Sequence, residues 1–268
     1  SLDYMDQISE HFYAYAGTRF DLAKGEQVPE EQGTPLIDIM RKPANHVRAT
    51  VEDYQNYLEL VPALREKRIP INIDEWALTG LPPNSFKVVP AYAWALHEMF
   101  RHSDIIQGAA FTFGTSLLSA TRSEAQLNPA GELFRLYSRY YGRIPVAVKG
   151  DRPQPPPKYP PGGEQPTINA GSDTYPLDVA AAWSEDRRAL TVAIVNPTES
   201  DQRMTLTIEG ANVTGGTQRR LWHPDINYIA TPGRPSEVTI VEQRLPSVPR
   251  GILVPRHSVT LYTFDVTR

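Results

Sequence analysis

The chain has 268 residues, room for one large domain or two ordinary ones, and 40% of them are hydrophobic, enough for a substantial globular core. A net charge of −4 with no dense Lys/Arg patch argues against nucleic acid as the main partner. The absence of cysteine excludes disulfides, thiolate metal sites and a thiol nucleophile.

In chain order, residues 7–15 read as a strand, followed by a polar loop over 17–35 rich in Gly, Glu and Pro. Residues 50–67 have helical spacing, with Val51, Tyr54, Tyr57, Leu58, Val61 and Leu64 recurring at three and four. Pro62 weakens that helix without having to end it. A strand over 69–76 follows, then a loop over 79–85. Ser85 can cap a helix running to about His102, with Val89, Ala93, Leu96 and Phe100 along one stripe. Residues 105–113 form a third strand and 129–141 a third helix. The order β-α-β-α-β-α predicts a parallel sheet with right-handed crossovers. Three such units make up only part of an eightfold barrel, which takes about 250 residues.

From Gly142 the texture changes. Residues 149–166 hold seven prolines, from Pro153 to Pro166, an extended linker unsuited to helix or central strand. Short alternating runs at 177–183, 190–195, 203–208, 218–222, 237–241 and 258–265 then predict an antiparallel β-sandwich. The expected boundary lies near residue 145, dividing a βα part (1–145) from a β-sandwich domain (146–268).

The stretch Ile69-Pro70-Ile71-Asn72-Ile73-Asp74-Glu75-Trp76 carries the chemistry. Counting by two places Ile69, Ile71, Ile73 and Glu75 on one face and Asp74 on the other, so the neighbouring acids do not cooperate directly. A carboxylate at the carboxyl end of a parallel strand sits where ligands bind, and Glu75 is read as a catalytic carboxylate. The plainer reading is a surface acid at a strand terminus. His11 and Tyr13, at i and i+2, share one face of the first strand, level with Glu75 if the two strands are neighbours. They suit sugar hydroxyls or an ionised carboxylate, although His11 taken without Glu75 reads more readily as a core histidine. Trp76 is either a sugar platform or a plug at the end of the barrel. His97 and His102 are expected to face solvent or a neighbouring helix. His223 and His257 have no partners at metal-ligand spacing, so no metal site and no cofactor is expected. No Walker loop, dinucleotide-binding glycine pattern or Gly-x-Ser-x-Gly elbow is present, and the sequon Asn212-Val213-Thr214 is uninformative by itself.

Three segments together resemble a known family. They are Tyr4-Met5-Asp6-Gln7-Ile8-Ser9-Glu10-His11-Phe12-Tyr13, Ile73-Asp74-Glu75-Trp76 and Leu96-His97-Glu98-Met99-Phe100-Arg101-His102-Ser103-Asp104. Their succession is similar to the C-terminal half of glycoside hydrolase family 51, the retaining α-L-arabinofuranosidases of clan A. Val192-Ala193-Ile194-Val195-Asn196-Pro197 and the closing strand resemble that family's C-terminal sandwich. The resemblance implies that Glu75 is the nucleophile on the seventh barrel strand and that His11 and Tyr13 contribute to the sugar site from the sixth; Trp76, next to the acid, is the further candidate for substrate binding. Two departures accompany it. No counterpart of the acid/base glutamate of the fourth strand occurs in this chain, and the position of a glutamine on the eighth strand aligns by spacing with Phe113.

The resemblance therefore implies retaining hydrolysis of terminal α-L-arabinofuranosyl residues on arabinose-containing polysaccharides or oligosaccharides. The expected partner is an N-terminal fragment or subunit that completes the barrel, and family analogy adds a homo-oligomer. Alternatives are another clan A retaining enzyme, such as a β-xylosidase or endoglycanase, or a non-catalytic carbohydrate-binding or scaffold subunit. No apolar run reaches the roughly 18 residues needed to cross a bilayer. The first residues show neither the basic nor the apolar stretch of a secretory signal, so cytoplasmic residence is the expectation.

Overall fold

The computed structural model describes residues 2–112 and 114–267. Phe113, the position aligned with the family's glutamine, lies outside the described residues. The first part comprises β1 (Ile8–Tyr15), a hairpin of β2 (Thr18–Asp21) and β3 (Glu26–Pro29), and helices α1 (Leu36–Leu60) and α2 (Pro62–Lys67). It continues with β4 (Ile71–Thr79), α3 (Val88–Arg101), β5 (Ile106–Phe111), a hairpin of β6 (Leu118–Ala120) and β7 (Ala125–Leu127), and α4 (Pro129–Tyr140). Strands β1, β4 and β5 form a parallel sheet in the order β1-β4-β5, with β4 in the middle.

Helix α1 departs most from the sequence expectation. It starts at Leu36 rather than near residue 50 and runs through Pro43. The reason is a buried stripe, Met40, Ala44, Val47, Val51 and Tyr54, whose spacing of four and three extends the apolar face upstream. An interior proline costs about 3 kcal/mol. Burying Met40, Val47 and Val51 contributes about 1.5–3 kcal/mol each, so the packing wins. At the other end the helix stops at Leu60, because a residue before proline is pushed out of the helical region. Val61 there has φ −129° and ψ 81°, and Pro62 begins α2 instead of being absorbed. The expected loop over 17–35 contains the β2–β3 hairpin. Asn128 caps α4 by accepting the Gly131 amide at 3.0 Å, with Pro129 in the first turn.

The second part comprises β8 (Ile144–Val146), β9 (Asp178–Trp183), β10 (Ala189–Asn196), β11 (Gln202–Thr205), β12 (Asn212–Leu221), β13 (Val241–Leu245), β14 (Gly251–Val254) and β15 (Ser258–Thr267). A six-stranded sheet in the order β13-β12-β15-β10-β9-β8 faces the two-stranded sheet β11-β14. Strand β10 is buried on both faces, which explains its nearly unbroken apolar run. Leu190, Val192 and Ile194 pack with Ile252, Val254, Tyr262 and Phe264 between the two sheets. Ala193 and Val195 join Leu221, Val259 and Leu261 in a cluster that continues into the βα part. Helices α3 and α4 lie against this outer face, so one core runs through both parts. The predicted boundary near 145 falls inside β8, which pairs with β9. Gly142 makes the entry to that strand possible: a Cβ there would lie 2.5 Å from the Trp183 carbonyl oxygen.

The proline-rich segment 149–166 holds neither helix nor named strand. It runs as a strap along α1 and the β2–β3 hairpin. Gln154 accepts from Arg41 at 3.2 Å, Glu164 accepts the Phe20 amide at 2.9 Å, and Lys158 pairs with Glu31 at 2.6 Å.

A buried polar seam joins the two parts. His97, expected to face solvent or a helix, is fully buried between α4 and β9. Its Nε2 lies 2.6 Å from the Tyr137 hydroxyl and its Nδ1 lies 2.6 Å from Asp178 Oδ2. Asp178 only accepts, so the neutral ring donates from Nδ1 and accepts the Tyr137 proton at Nε2. Arg101 reaches Glu98 at 2.8 Å, the Val179 carbonyl at 2.9 Å, and Asp178 as well. Arg48 and His102 complete the shell of Glu98 at 2.5 and 3.1 Å.

Candidate active site

The parallel sheet positions the acids through an irregularity in pairing. Glu10 lies opposite Ile73, whereas the next residue, His11, lies opposite Glu75, so Asp74 is one extra residue on β4. Such a bulge re-aims the side chains around it. Before it, Ile71 and Ile73 enter the core, and after it Trp76 and Leu78 do. Glu75 is thereby turned to the opposite face, with Ser9, His11 and Tyr13 of β1. Two expectations are corrected: Glu75 does not continue the face of Ile71 and Ile73, and Asp74 and Glu75 are not separated by the sheet. Strand β4 also continues past the acids to Thr79.

Both carboxylates meet His11. Its Nε2 lies 2.8 Å from Asp74 Oδ1, and its Nδ1 lies 3.7 Å from Glu75 Oε2. The Ser9 hydroxyl is 2.9 Å from both Asp74 oxygens. The Tyr13 hydroxyl donates to Glu75 Oε2 at 2.5 Å. That bond is the main cause of a raised Tyr13 pKa, which keeps the phenol protonated and donating. Glu75 Oε1 accepts no hydrogen bond from the described residues. The side chain of Glu75 is 45% exposed and that of His11 50%, so the group lies open to a ligand.

Trp76 is not part of this surface. It is fully buried and packs edge-on against Tyr92 and Phe111, with ring centroids 5.7 and 5.1 Å away. The expectation of a sugar platform is therefore corrected: the bulge turns the indole into the core, and it offers no face to a sugar. Ser9 and Asp74 escaped the sequence reading as members of the cluster. The signal available was two consecutive acids interrupting an apolar strand, a place where the alternation must slip.

A carboxylate with one oxygen fixed by a phenol and the other without a hydrogen bond from the described residues, on the exposed face of a parallel sheet, is suited to nucleophilic attack or proton transfer. Among the described residues no group of three His, Asp or Glu side chains is placed to hold a metal ion, and no helix is long and apolar enough to cross a membrane.

No family profile matches the chain, and neither does any curated protein. Solved structures do. The α-L-arabinofuranosidase from Thermotoga maritima in complex with arabinose aligns with a TM-score of 0.74 over 97% of this chain and 52% of its own, at 18% identity. The family 51 arabinofuranosidase from Xanthomonas axonopodis pv. citri aligns at 0.68 over 99% of this chain and 54% of its own, at 16% identity. A β-porphyranase of glycoside hydrolase family 86 from Bacteroides plebeius aligns at 0.53 and 14% identity, over 99% of this chain and 42% of its own. The chain thus has the fold of a region of these enzymes and spans about half the length of the arabinofuranosidase structures it matches.

Proposed function

We propose that this chain carries the nucleophile of a retaining glycoside hydrolase, with Glu75 in that role, acting on terminal α-L-arabinofuranosyl residues of plant polysaccharides or oligosaccharides. The observation that carries the reading is the state of the Glu75 carboxylate: Oε2 is held by the Tyr13 hydroxyl at 2.5 Å, and Oε1 accepts no hydrogen bond from the described residues. The similarity of fold to arabinofuranosidases, one of them with arabinose bound, supports the choice of sugar. The three βα units are then the last part of a (β/α)8 barrel, ahead of the sandwich.

In this reading Oε1 attacks the anomeric carbon as the bond to the leaving oxygen breaks, and a glycosyl ester forms on Glu75. A second carboxyl group, about 5–5.5 Å away, protonates the leaving oxygen. It then takes a proton from a water that attacks the same carbon and frees Glu75. Asp74 is unsuited to that second role, being engaged by His11 and Ser9. The acid/base is therefore contributed by a further segment of polypeptide that pairs with the sheet, whose outer strands β1 and β5 each have one unpaired edge among the described residues. The prediction is that the 268-residue chain alone does not cleave aryl arabinofuranosides and gains activity only with that segment. A native mass spectrum of a stable monomer, combined with turnover by that monomer, would refute the partner. Native mass spectrometry of the complete protein also tests the homo-oligomer implied by analogy.

The reaction itself is tested with a cyclophellitol-type arabinofuranoside, which alkylates a live nucleophile. Peptide mapping is expected to place the label on Glu75. No label on any carboxylate would instead leave a carbohydrate-binding or scaffold role. The alignment with a β-porphyranase gives one specific rival, a glycosidase for another sugar. A panel of aryl furanosides and pyranosides separates the two, and faster turnover of pyranosides favours the rival.

A further inference from the structure

We infer that the cleft where the β12–β13 connection of the sandwich meets the βα part binds a sugar unit of the polymer's main chain, away from the bond that is cleaved; the inference rests on the reading of Glu75 given above. The cleft has a volume of about 380 Å³, in the range of small-ligand sites. Three segments enclose it. Pro83 and Asn84 come from the β4–α3 loop, Ser116, Leu118 and Ser119 from the stretch after β5, and Pro232 from the sandwich.

Backbone pairing holds the sandwich segment in place. The Tyr228 carbonyl accepts the Phe86 amide at 2.9 Å, and the Ala230 amide donates to the Asn84 carbonyl at 3.0 Å. Asn84 Nδ2 donates in return to the Ala230 carbonyl at 2.5 Å. Phe86, Ala230 and Val238 are buried, and Ile226, Tyr228 and Ile240 pack on the core that contains Phe86. Pro232, two residues past Ala230, is therefore fixed against the βα part. Two of the enclosing segments also lie past the carboxyl ends of β4 and β5, the strand ends nearest Glu75. The Thr112 amide donates to the Trp76 carbonyl at 3.0 Å, next to Glu75. Four residues lead from Thr112 to Ser116, a span of at most about 14 Å. An oligosaccharide engaged at Glu75 can reach the cleft.

The lining selects the class of ligand. No charged side chain lines the cleft, so nothing there offsets the desolvation of a phosphate, a carboxylate or a metal ion. It offers the aliphatic surfaces of Pro83, Leu118 and Pro232 with polar groups between them. Ser119 is 4% exposed, and its hydroxyl has no hydrogen-bond partner among the described residues. Leaving a buried hydroxyl unpaired is costly, and a ligand oxygen within reach would relieve that cost. Asn84 is oriented through Nδ2, while its Oδ1 accepts no hydrogen bond from the described residues. A sugar ring matches this set: its C–H faces suit the proline and leucine surfaces, and its hydroxyls both donate and accept.

Ala120 closes one side of the cleft, and Ala120→Trp fills it. The probes are arabinofuranosyl-branched hexasaccharides with a main chain of arabinose or of xylose, compared with an aryl arabinofuranoside. In the complete enzyme, kcat/KM for at least one hexasaccharide is expected to fall about 5- to 20-fold more than for the aryl substrate, through KM. Ser119→Ala should change the ratio in the same sense by about two- to fivefold. Equal changes on the hexasaccharides and the aryl substrate would overturn the inference. Calorimetry on the complete enzyme carrying Glu75→Gln gives a reading without turnover. Adding Ala120→Trp should weaken the Kd of at least one hexasaccharide by about fivefold or more, and unchanged Kd values for both would also overturn the inference. Hydrolysis of a probe by the Glu75→Gln protein would instead count against Glu75, and the kinetic ratio would still decide on the cleft.

Discussion

Glu75→Ala in the complete enzyme is expected to lower kcat by at least about 10⁴-fold, equivalent to about 5.5 kcal/mol of transition-state stabilisation. Alanine removes the attacking oxygen and leaves space in its place. Added azide should then restore part of the turnover, with formation of a glycosyl azide of inverted configuration. Glu75→Gln keeps the volume and should be equally inactive, but without rescue, since the amide still fills the site. The Tyr13 hydroxyl, now 2.5 Å from Oε2, would still find an amide oxygen, so thermal stability should change little in that variant. Wild-type kcat in either protein would remove Glu75 from the mechanism, whatever the fold resembles. The contrast between the two variants matters because loss of activity alone does not separate a nucleophile from a residue that shapes the site.

The second large effect concerns stability and comes from the seam. Arg101→Met retains the aliphatic length but withdraws the charge that faces Glu98 and Asp178. Both carboxylates are fully buried. Breaking a buried pair by removing one partner costs about 3–5 kcal/mol. At roughly 2–4 °C per kcal/mol for proteins of this size, the midpoint of thermal unfolding should fall by about 6–20 °C. A drop below about 2 °C would show that the seam contributes nothing measurable.

The same seam gives a pH dependence whose sign can be worked out. Burial acts to raise the Asp178 carboxyl, but the Arg101 charge and the His97 hydrogen bond outweigh it and hold it well below the usual range. Burial likewise opposes ionisation of Glu98, while His102, Arg101 and Arg48 bring it down to about 2. Burial pushes the His97 pKa below 6.5, against the pull of Asp178. In each case the unfolded chain binds more protons than the folded one as pH falls. Stability is therefore greatest above about pH 6.5, begins to decline as unfolded His97 protonates, and falls further below about pH 4.5. In Arg101→Met the carboxylates lose part of that compensation, and their folded pKa values rise toward the unfolded ones. Its deficit relative to wild type should then shrink as pH falls below about 4.5, which urea titrations at several pH values would read.

Much of the fold could be read from residue patterns. Alternating apolar runs located most of the strands, and spacing by three and four located α3 and the downstream half of α1. The proline-rich strap and the change of texture after Gly142 marked the sandwich. The missing pieces share a cause. The upstream half of α1 was obscured by Pro43, whose local cost is overcome only by burial against a sheet that sequence spacing does not show. The orientation of Glu75 was misjudged because counting by two assumes no extra residue, whereas the slip at Asp74 exists only in the pairing of β4 with β1.

The sequence alone determined which residue types were available: an Asp-Glu-Trp run in a parallel strand, a His-x-Tyr pair in the strand before it, and no cysteine. These are properties of composition and local alternation, and they hold whatever the chain packs against. Tertiary structure alone decided which way each side chain points. It turned Glu75 out to meet Tyr13, turned Trp76 into the core, brought Asp74 onto His11, and buried His97 against Asp178, 81 residues further along the chain. The physical reason is that register between strands is set by the packing of both faces at once. One residue more or less on one strand inverts every side chain beyond it.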